Sequence, residues 1–84
     1  MVFGDAISLL KVGGKVARPN WRKDEYVILV DDISFHTDAN IGDLQNKTCQ
    51  TDDCLCLKTA DNIFRLGWSP SQSDLLAEDW GIVE

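Results

Sequence analysis

CLCLKTADNIFRLGW, residues 54–68, holds two runs rich in β-branched, aromatic and small apolar residues, 54–59 and 63–68, around Ala60-Asp61-Asn62. Runs of that length on either side of turn residues predict an antiparallel hairpin. Upstream, YVILV (26–30) is a continuous apolar run, too short for a helix. It predicts a central strand covered on both faces. Between these strands, residues 31–53 are rich in Asp, Asn, Thr and Gln. This polar insertion has room for a short hairpin, and composition alone leaves its geometry open.

Toward the N-terminus, Phe3, Ala6, Ile7 and Leu10 fall at i, i+3, i+4 and i+7, one buried helical stripe, with Asp5 in the first turn and Lys11 in the last as the helix dipole favours. Gly13-Gly14 reads as the C-terminal cap of this helix and not as a phosphate loop, because no GxGxxG or GKS/GKT pattern follows. KVAR then predicts a short strand, and Pro19-Asn20 a turn that delivers Trp21. Beyond the hairpin, Ser69 with Pro70 and Gln72 has capping-box spacing and predicts a helix over 70–77, followed by a last strand in WGIVE. The expected architecture is α+β: residues 1–84 as a single domain, with a small antiparallel sheet packed against an N-terminal helix and a short C-terminal helix.

Eighty-four residues make a core that is marginal on its own, since a chain this short buries only about 60–65% of its unfolded surface. A partner subunit is the natural supplement, and the chain is expected to be oligomeric. With 14 acidic and 8 basic residues the net charge is −6, which excludes a protein that grips long nucleic acid by neutralising many phosphates. A small anionic ligand needs only one or two well-placed cations and some backbone amides. No apolar run approaches a membrane span and the first residues carry no positive leader, so a cytosolic location is expected.

Cys49, Cys54 and Cys56, an odd number, are expected as free thiols. With His36 they supply four potential ligands, but the paired spacings of structural zinc sites are missing, and Cys54 and Cys56 are expected as small core residues on one strand face; no metal is expected. DANIGD fails the calcium-loop pattern, because Gly42, Asp43 and Cys49 stand where an oxygen ligand, Gly and Glu are required. The single histidine has no nucleophile motif near it, and Asp74, Glu78 and Asp79 read as solvated or capping carboxylates. No catalytic residue and no cofactor is expected.

The aromatic and basic residues say more. Trp21 adjoins Arg18 and Arg22, and Trp68 follows Arg65 and precedes Ser69, Ser71, Gln72 and Asp74. Aromatic faces stack nucleobases and arginine forks suit phosphate. On these features alone, completing a small core or a subunit interface is the simpler account of the tryptophans.

FGDAISLLKVGGKVARPNW (3–21) and KTADNIFRLGWSPSQSDLLAEDW (58–80) resemble the family of phage-encoded Thoeris anti-defence two proteins. The resemblance implies a sponge: a homo-oligomer, often a dimer of dimers, that captures the cyclic ADP-ribose signal of a bacterial immune system intact, with some relatives taking cyclic di- or trinucleotides. It implies action in the cytoplasm of the infected bacterial host. Phe3, Arg18 and Trp21 match its first motif, and Trp68, Ser71, Gln72 and Asp74 its second. The expected pocket draws on these residues and on Arg22: Trp21 and Trp68 from facing subunits stack the adenine, Arg18 or Arg22 binds the pyrophosphate, and Asp74 and Gln72 meet ribose hydroxyls. Leu75, Leu76 and Trp80 also match but are assigned to the core by spacing. Asn62 stands where many relatives have Gly, a substitution Asn tolerates at positive φ. A cyclic-nucleotide hydrolase, a thiol or metal module and a protein-binding inhibitor of an immune effector are the competing classes.

Overall fold

The computed structural model describes residues 1–31, 34–36, 48–50 and 52–84. The predicted N-terminal helix is α1, Phe3–Lys11, which buries Ala6 and Leu10. It ends where expected: Gly13 adopts φ 90°, and the N–H groups of Gly13 and Gly14 donate to the carbonyls of Leu10 and Leu9, both at 3.0 Å. These bonds satisfy carbonyls that the last helical turn leaves open. A Cβ at Gly14 would lie 2.8 Å from the Leu9 side chain, so the chain leaves the helix too closely for any other residue.

Among the described residues, strands follow in the order β1 (Lys15–Ala17), β2 (Tyr26–Val30), β3 (Ser34–His36), β4 (Thr48–Gln50), β5 (Cys54–Lys58), β6 (Phe64–Leu66) and β7 (Gly81–Val83), with a second helix α2 (Gln72–Leu76) between β6 and β7. Five form an antiparallel sheet in the order β6-β5-β2-β1-β7. The predicted hairpin is β5–β6, registered Cys56↔Leu66 to Lys58↔Phe64. At its turn Asn62 takes φ 63°, and its N–H donates to the Thr59 carbonyl at 3.0 Å. Positive φ at the last position of a three-residue hairpin loop is where Gly or Asn is required. The second strand is shorter than 63–68 because Gly67, at φ 77°, bends the chain, and the N–H groups of Gly67 and Trp68 both donate to the Leu55 carbonyl.

β2 is the middle strand, as YVILV predicts, but it is not covered on both faces. Val27, on the face toward α1, is fully buried, whereas the alternate residues Tyr26, Ile28 and Val30 are only half-buried. A single layer of helix covers one side of the sheet. Residues 31–53 do hold a paired element. β3 and β4 pair Ser34↔Gln50 to His36↔Thr48, in the same register that runs from Tyr26↔Lys58 to Val30↔Cys54. The described part of the polar segment is therefore an outward continuation of the central hairpin. The side chains of His36 and Cys49 lie outside the described residues.

Two expectations are corrected at the second helix. Its N-cap is Ser71 and not Ser69, and the helix spans Gln72–Leu76 in place of 70–77. The reciprocal box joins Ser71 to Asp74: the Asp74 N–H donates to Ser71 Oγ at 3.1 Å and the Ser71 N–H to Asp74 Oδ2 at 3.0 Å. A carboxylate at the third helical position accepts the free amide better than an amide side chain does, which shifts the start from the Ser69/Gln72 pair. Leu75 and Leu76, assigned to the core, are instead 47% and 79% exposed, and α2 buries none of its residues. One helical turn fixed at its cap has no second turn to drive an apolar stripe inward.

Trp80 is buried as expected, at 2% exposure, with Ala6, Leu10, Val16 and Val27. Its main chain is tied to the start of the chain: the Met1 nitrogen donates to the Trp80 carbonyl at 2.7 Å and the Trp80 N–H to the Met1 carbonyl at 3.1 Å. Replacing Trp80 with Ala is expected to cost about 3–5 kcal/mol, enough to unfold much of a domain this small. Leu76→Ala is expected to stay within about 0.5 kcal/mol of the parent in the same urea titrations.

Candidate functional site

Trp80 is the hub of an aromatic cluster. Its ring lies 5.4 Å from Phe3, 5.4 Å from Trp21 and 6.3 Å from Trp68, and Trp21 and Trp68 are 6.0 Å apart. The three tryptophan pairs meet edge to face, with interplanar angles of 73–79°. That arrangement sets the positive ring edge against the negative face. Local structure places each ring: α1 carries Phe3, the turn after β1 brings the Trp21 N–H to the Arg18 carbonyl at 3.1 Å, and the bend at Gly67 turns Trp68 in. Trp21 and Trp68 are half-buried, so each keeps ring surface open beside the sealed Trp80. Expected from facing subunits, the two touch each other within one chain.

Arg18, just past β1, is committed to the chain's own carboxylates. Its Nε donates to Asp79 Oδ1 at 3.0 Å, and its Nη1 to Asp74 Oδ1 at 3.1 Å and to Ser73 Oγ at 3.3 Å. Hydrogen bonds to Asp79 and then Asp74 raise its pKa above the ordinary value, so it stays a cation. Burial works to raise the Asp74 pKa, but hydrogen bonds from Ser71 and Arg18 outweigh it and hold the carboxyl below its usual value. The Asp74 main chain is also used, since the Trp80 Nε1–H donates to its carbonyl at 2.9 Å. Arg18, the α2 cap and the tryptophan hub thus form one connected polar and aromatic unit.

Of the residues expected in the pocket, Phe3, Trp21 and Trp68 gather on Trp80, while Arg18, Ser71 and Asp74 join in the network beside them. Arg22 and Gln72 are exposed, and among the described residues the Arg22 side chain forms no ion pair. Sequence reasoning missed Asp79 and Ser73 as partners of Arg18, 61 and 55 positions away. It also gave Trp80 packing alone, without its role as the element that unites the rings. No local spacing reports such distant contacts.

Within this unit one guanidinium, Arg18, is shared by two carboxylates, Asp74 and Asp79, an arrangement that holds geometry. Cys56 is buried on β5, and its burial, then nearby Cys54, push its thiol pKa up, which disfavours the thiolate that metals and electrophiles need. Among the described residues no three metal-capable side chains cluster, and no helix is long and apolar enough to cross a membrane.

A small antiparallel sheet backed by one helix, with partly open tryptophans at the edge of its core, defines a small α+β domain. The chain belongs to the Thoeris anti-defense 2-like domain family, which matches residues 1–83. It is 37% identical over 86 residues to Thoeris anti-defense 2 of Bacillus phage SP01, an alignment covering 99% of this chain and 94% of that relative. The family's role is anti-defence, directed by its name at the Thoeris system.

Because the folded pKa of Asp74 is depressed, its contribution to stability is complete above the unfolded value of about 3.9 and is lost as pH falls through the folded value. The stability gap between the parent and Asp74→Asn, followed by urea unfolding, is expected to be constant from neutral pH down to about 5 and to close below about 4. A gap that instead widens in acid would show that the carboxylate is not stabilised by these partners.

Proposed function

We propose that this protein is a phage anti-defence sponge, which binds the cyclic ADP-ribose-type signal of the Thoeris system and withholds it without cleaving it. Cyclic di- and trinucleotides form the related ligand class. The observation that carries this is the contact between Trp21 and Trp68 on one protomer, both partly open and backed by the buried Trp80. Family membership supports the direction of the activity. The adenine stacks on this open aromatic surface, and the rings behind it are ordered before the ligand arrives. Preorganisation of that kind lowers the cost of binding.

The two arginines divide the work. Arg18 is a positioning residue, since its fork is filled by Asp79, Asp74 and Ser73 and so holds α2 against the tryptophans. Arg22, exposed and next to Trp21, is the cation that meets the pyrophosphate. Gln72, exposed at the start of α2, meets a ribose hydroxyl, whereas both Asp74 oxygens already accept hydrogen bonds within the chain. Phe3 and Ser71 support the surface from behind. A homo-oligomer, a dimer of dimers in the fullest form, closes the site by laying another copy over the open rings. The protein acts in the cytoplasm of the infected host, where the signal is made.

Retention of a second messenger demands affinity, and a nanomolar dissociation constant is about −12 kcal/mol, within reach of stacking at about 1–3 kcal/mol per base plus charged hydrogen bonds. Incubating the protein with cyclic ADP-ribose-type signal, removing the protein by heat and assaying the supernatant is expected to return intact ligand. A cleaved product would establish a hydrolase in place of a sponge. Trp68→Ala is expected to weaken capture by at least about tenfold, the loss of one stack, with the far-ultraviolet dichroism of the parent. Full stoichiometric capture by that variant would remove Trp68 from the site.

A further inference from the structure

Trp21 and Arg22 stand on an arm of irregular chain, residues 18–25, that leaves the sheet after β1 and returns at the start of β2. The two strands are registered beside it at a single pair, Val16↔Val27, which does little to set the course of the arm. Connections of this kind are ordinarily among the loosest parts of a domain. This one is folded into two successive turns. The Trp21 N–H donates to the Arg18 carbonyl and the Glu25 N–H to the Arg22 carbonyl, both at 3.1 Å. Glu25 Oε1 also accepts the Arg22 N–H at 2.8 Å, so the second turn is closed twice. Its third residue, Asp24, takes φ 71°, at a position usually given to Gly or Asn. A residue with a Cβ pays for that conformation, and an aspartate there needs support from outside the turn.

The support comes from the far side of the sheet. Lys58 is registered opposite Tyr26 on β5, and because the next pair, Val27↔Leu57, packs into the core, strand alternation sets Lys58 on the side away from α1 and the tryptophans. Its Nζ donates to the Asp24 carbonyl at 2.9 Å, across 34 positions of sequence. The residue is only 8% exposed. Its ammonium lies 5.2 Å from the centre of the Tyr26 ring, and that of Lys15 lies 5.1 Å away, so charges from β5 and β1 flank the residue at which the arm re-enters the sheet. Burying an ammonium is unfavourable unless its charge and N–H groups are met, and an apolar side chain would fill the position without that penalty. Among the described residues Lys58 forms no ion pair. What its ammonium holds, besides the face of Tyr26, is the main chain of the arm.

The other end of the arm is held by the Arg18 fork on Asp79 and Asp74. Between these two anchors stand the Trp21 ring, 5.4 Å from Trp80 and 6.0 Å from Trp68, and the exposed Arg22. We infer that Lys58 is a positioning residue of the aromatic site: its bond to Asp24 fixes the arm in the conformation that packs Trp21 on Trp80 and keeps Arg22 beside it, with Glu25 as the second tie. Lys58 acts through the main chain and touches no ligand. An arm ordered in advance spares the entropy that a mobile one would lose at each binding event. The inference takes from the proposed function what the site binds, whereas the fixing of the arm concerns the chain alone.

Tryptophan dichroism in the near ultraviolet, which reports fixed packing of aromatic rings, and titration with the cyclic ADP-ribose-type signal test it together. Lys58→Met keeps an apolar stem and removes the donor. It is expected to keep the parent's far-ultraviolet dichroism and cooperative unfolding, to lose much of the tryptophan signal, and to raise the dissociation constant about tenfold at unchanged stoichiometry. Adding Asp24→Gly, which takes positive φ without strain, is expected to return most of both losses, a recovery that a lysine needed only for packing would not show. Glu25→Ala, partly exposed and outside the core cluster, is expected to move both readouts in the same direction, and it decides the matter if Lys58→Met does not fold. Parent-like tryptophan dichroism in Lys58→Met, or in Glu25→Ala where the former does not fold, overturns the inference, as does parent-like affinity in a variant whose tryptophan signal has changed. A parent that captures none of the signal overturns the proposed function instead, and the dichroism of the variants then decides the positioning by itself.

Discussion

Trp80 ties both ends of the chain and the second helix to the core. Its ring fills the space between α1 and the sheet, its indole N–H holds the α2 carbonyl of Asp74, and its main chain exchanges hydrogen bonds with Met1. Among the described residues the fully buried side chains are few, and one large aromatic residue supplies a large share of their apolar burial. The half-buried rings of Phe3, Trp21 and Trp68 are ordered because they pack on this one. The open aromatic surface and the core are therefore continuous, and rigidity at the surface is inherited from the interior.

Beside the rings lies a polar counterpart. α2 has no buried residue and too few residues to be stable as an isolated helix, so its place depends on the Ser71–Asp74 box and on the Arg18 fork. Arg18 lies at the end of β1, whose middle residue Val16 is fully buried, so α2 is anchored to the rigid part of the sheet. The same hydrogen bonds that hold the helix consume the charges of Arg18 and Asp74. Arg22 lies outside that network.

A single helix over a five-strand sheet protects only one side, and this explains why YVILV reads as doubly covered while its alternate residues are half-open.

Much of the architecture was legible in the residues themselves. The stripe of Phe3, Ala6, Ile7 and Leu10, the glycines that end α1, the turn at Asn62 and the final strand are all encoded by neighbours in the chain, because helix period, positive φ and strand alternation are local properties. The resemblance of two stretches to one family also resided in the sequence and pointed to the same rings. Local signals failed where two caps competed: Ser69 and Ser71 both fit, and only the Asp74 carboxylate, with its added partner Arg18, settled the start of α2. Leu75 and Leu76 looked like core because a leucine pair in a helix usually is, yet the burial of a side chain depends on what lies across from it. Tertiary structure alone decided that Trp21 and Trp68 meet on one chain, that Arg18 spends its charge on Asp74 and Asp79, and that β3 and β4 pair in the register of β2 and β5. Each of these joins residues far apart in sequence, and contacts closed over such distances leave no periodic trace in the residues that make them.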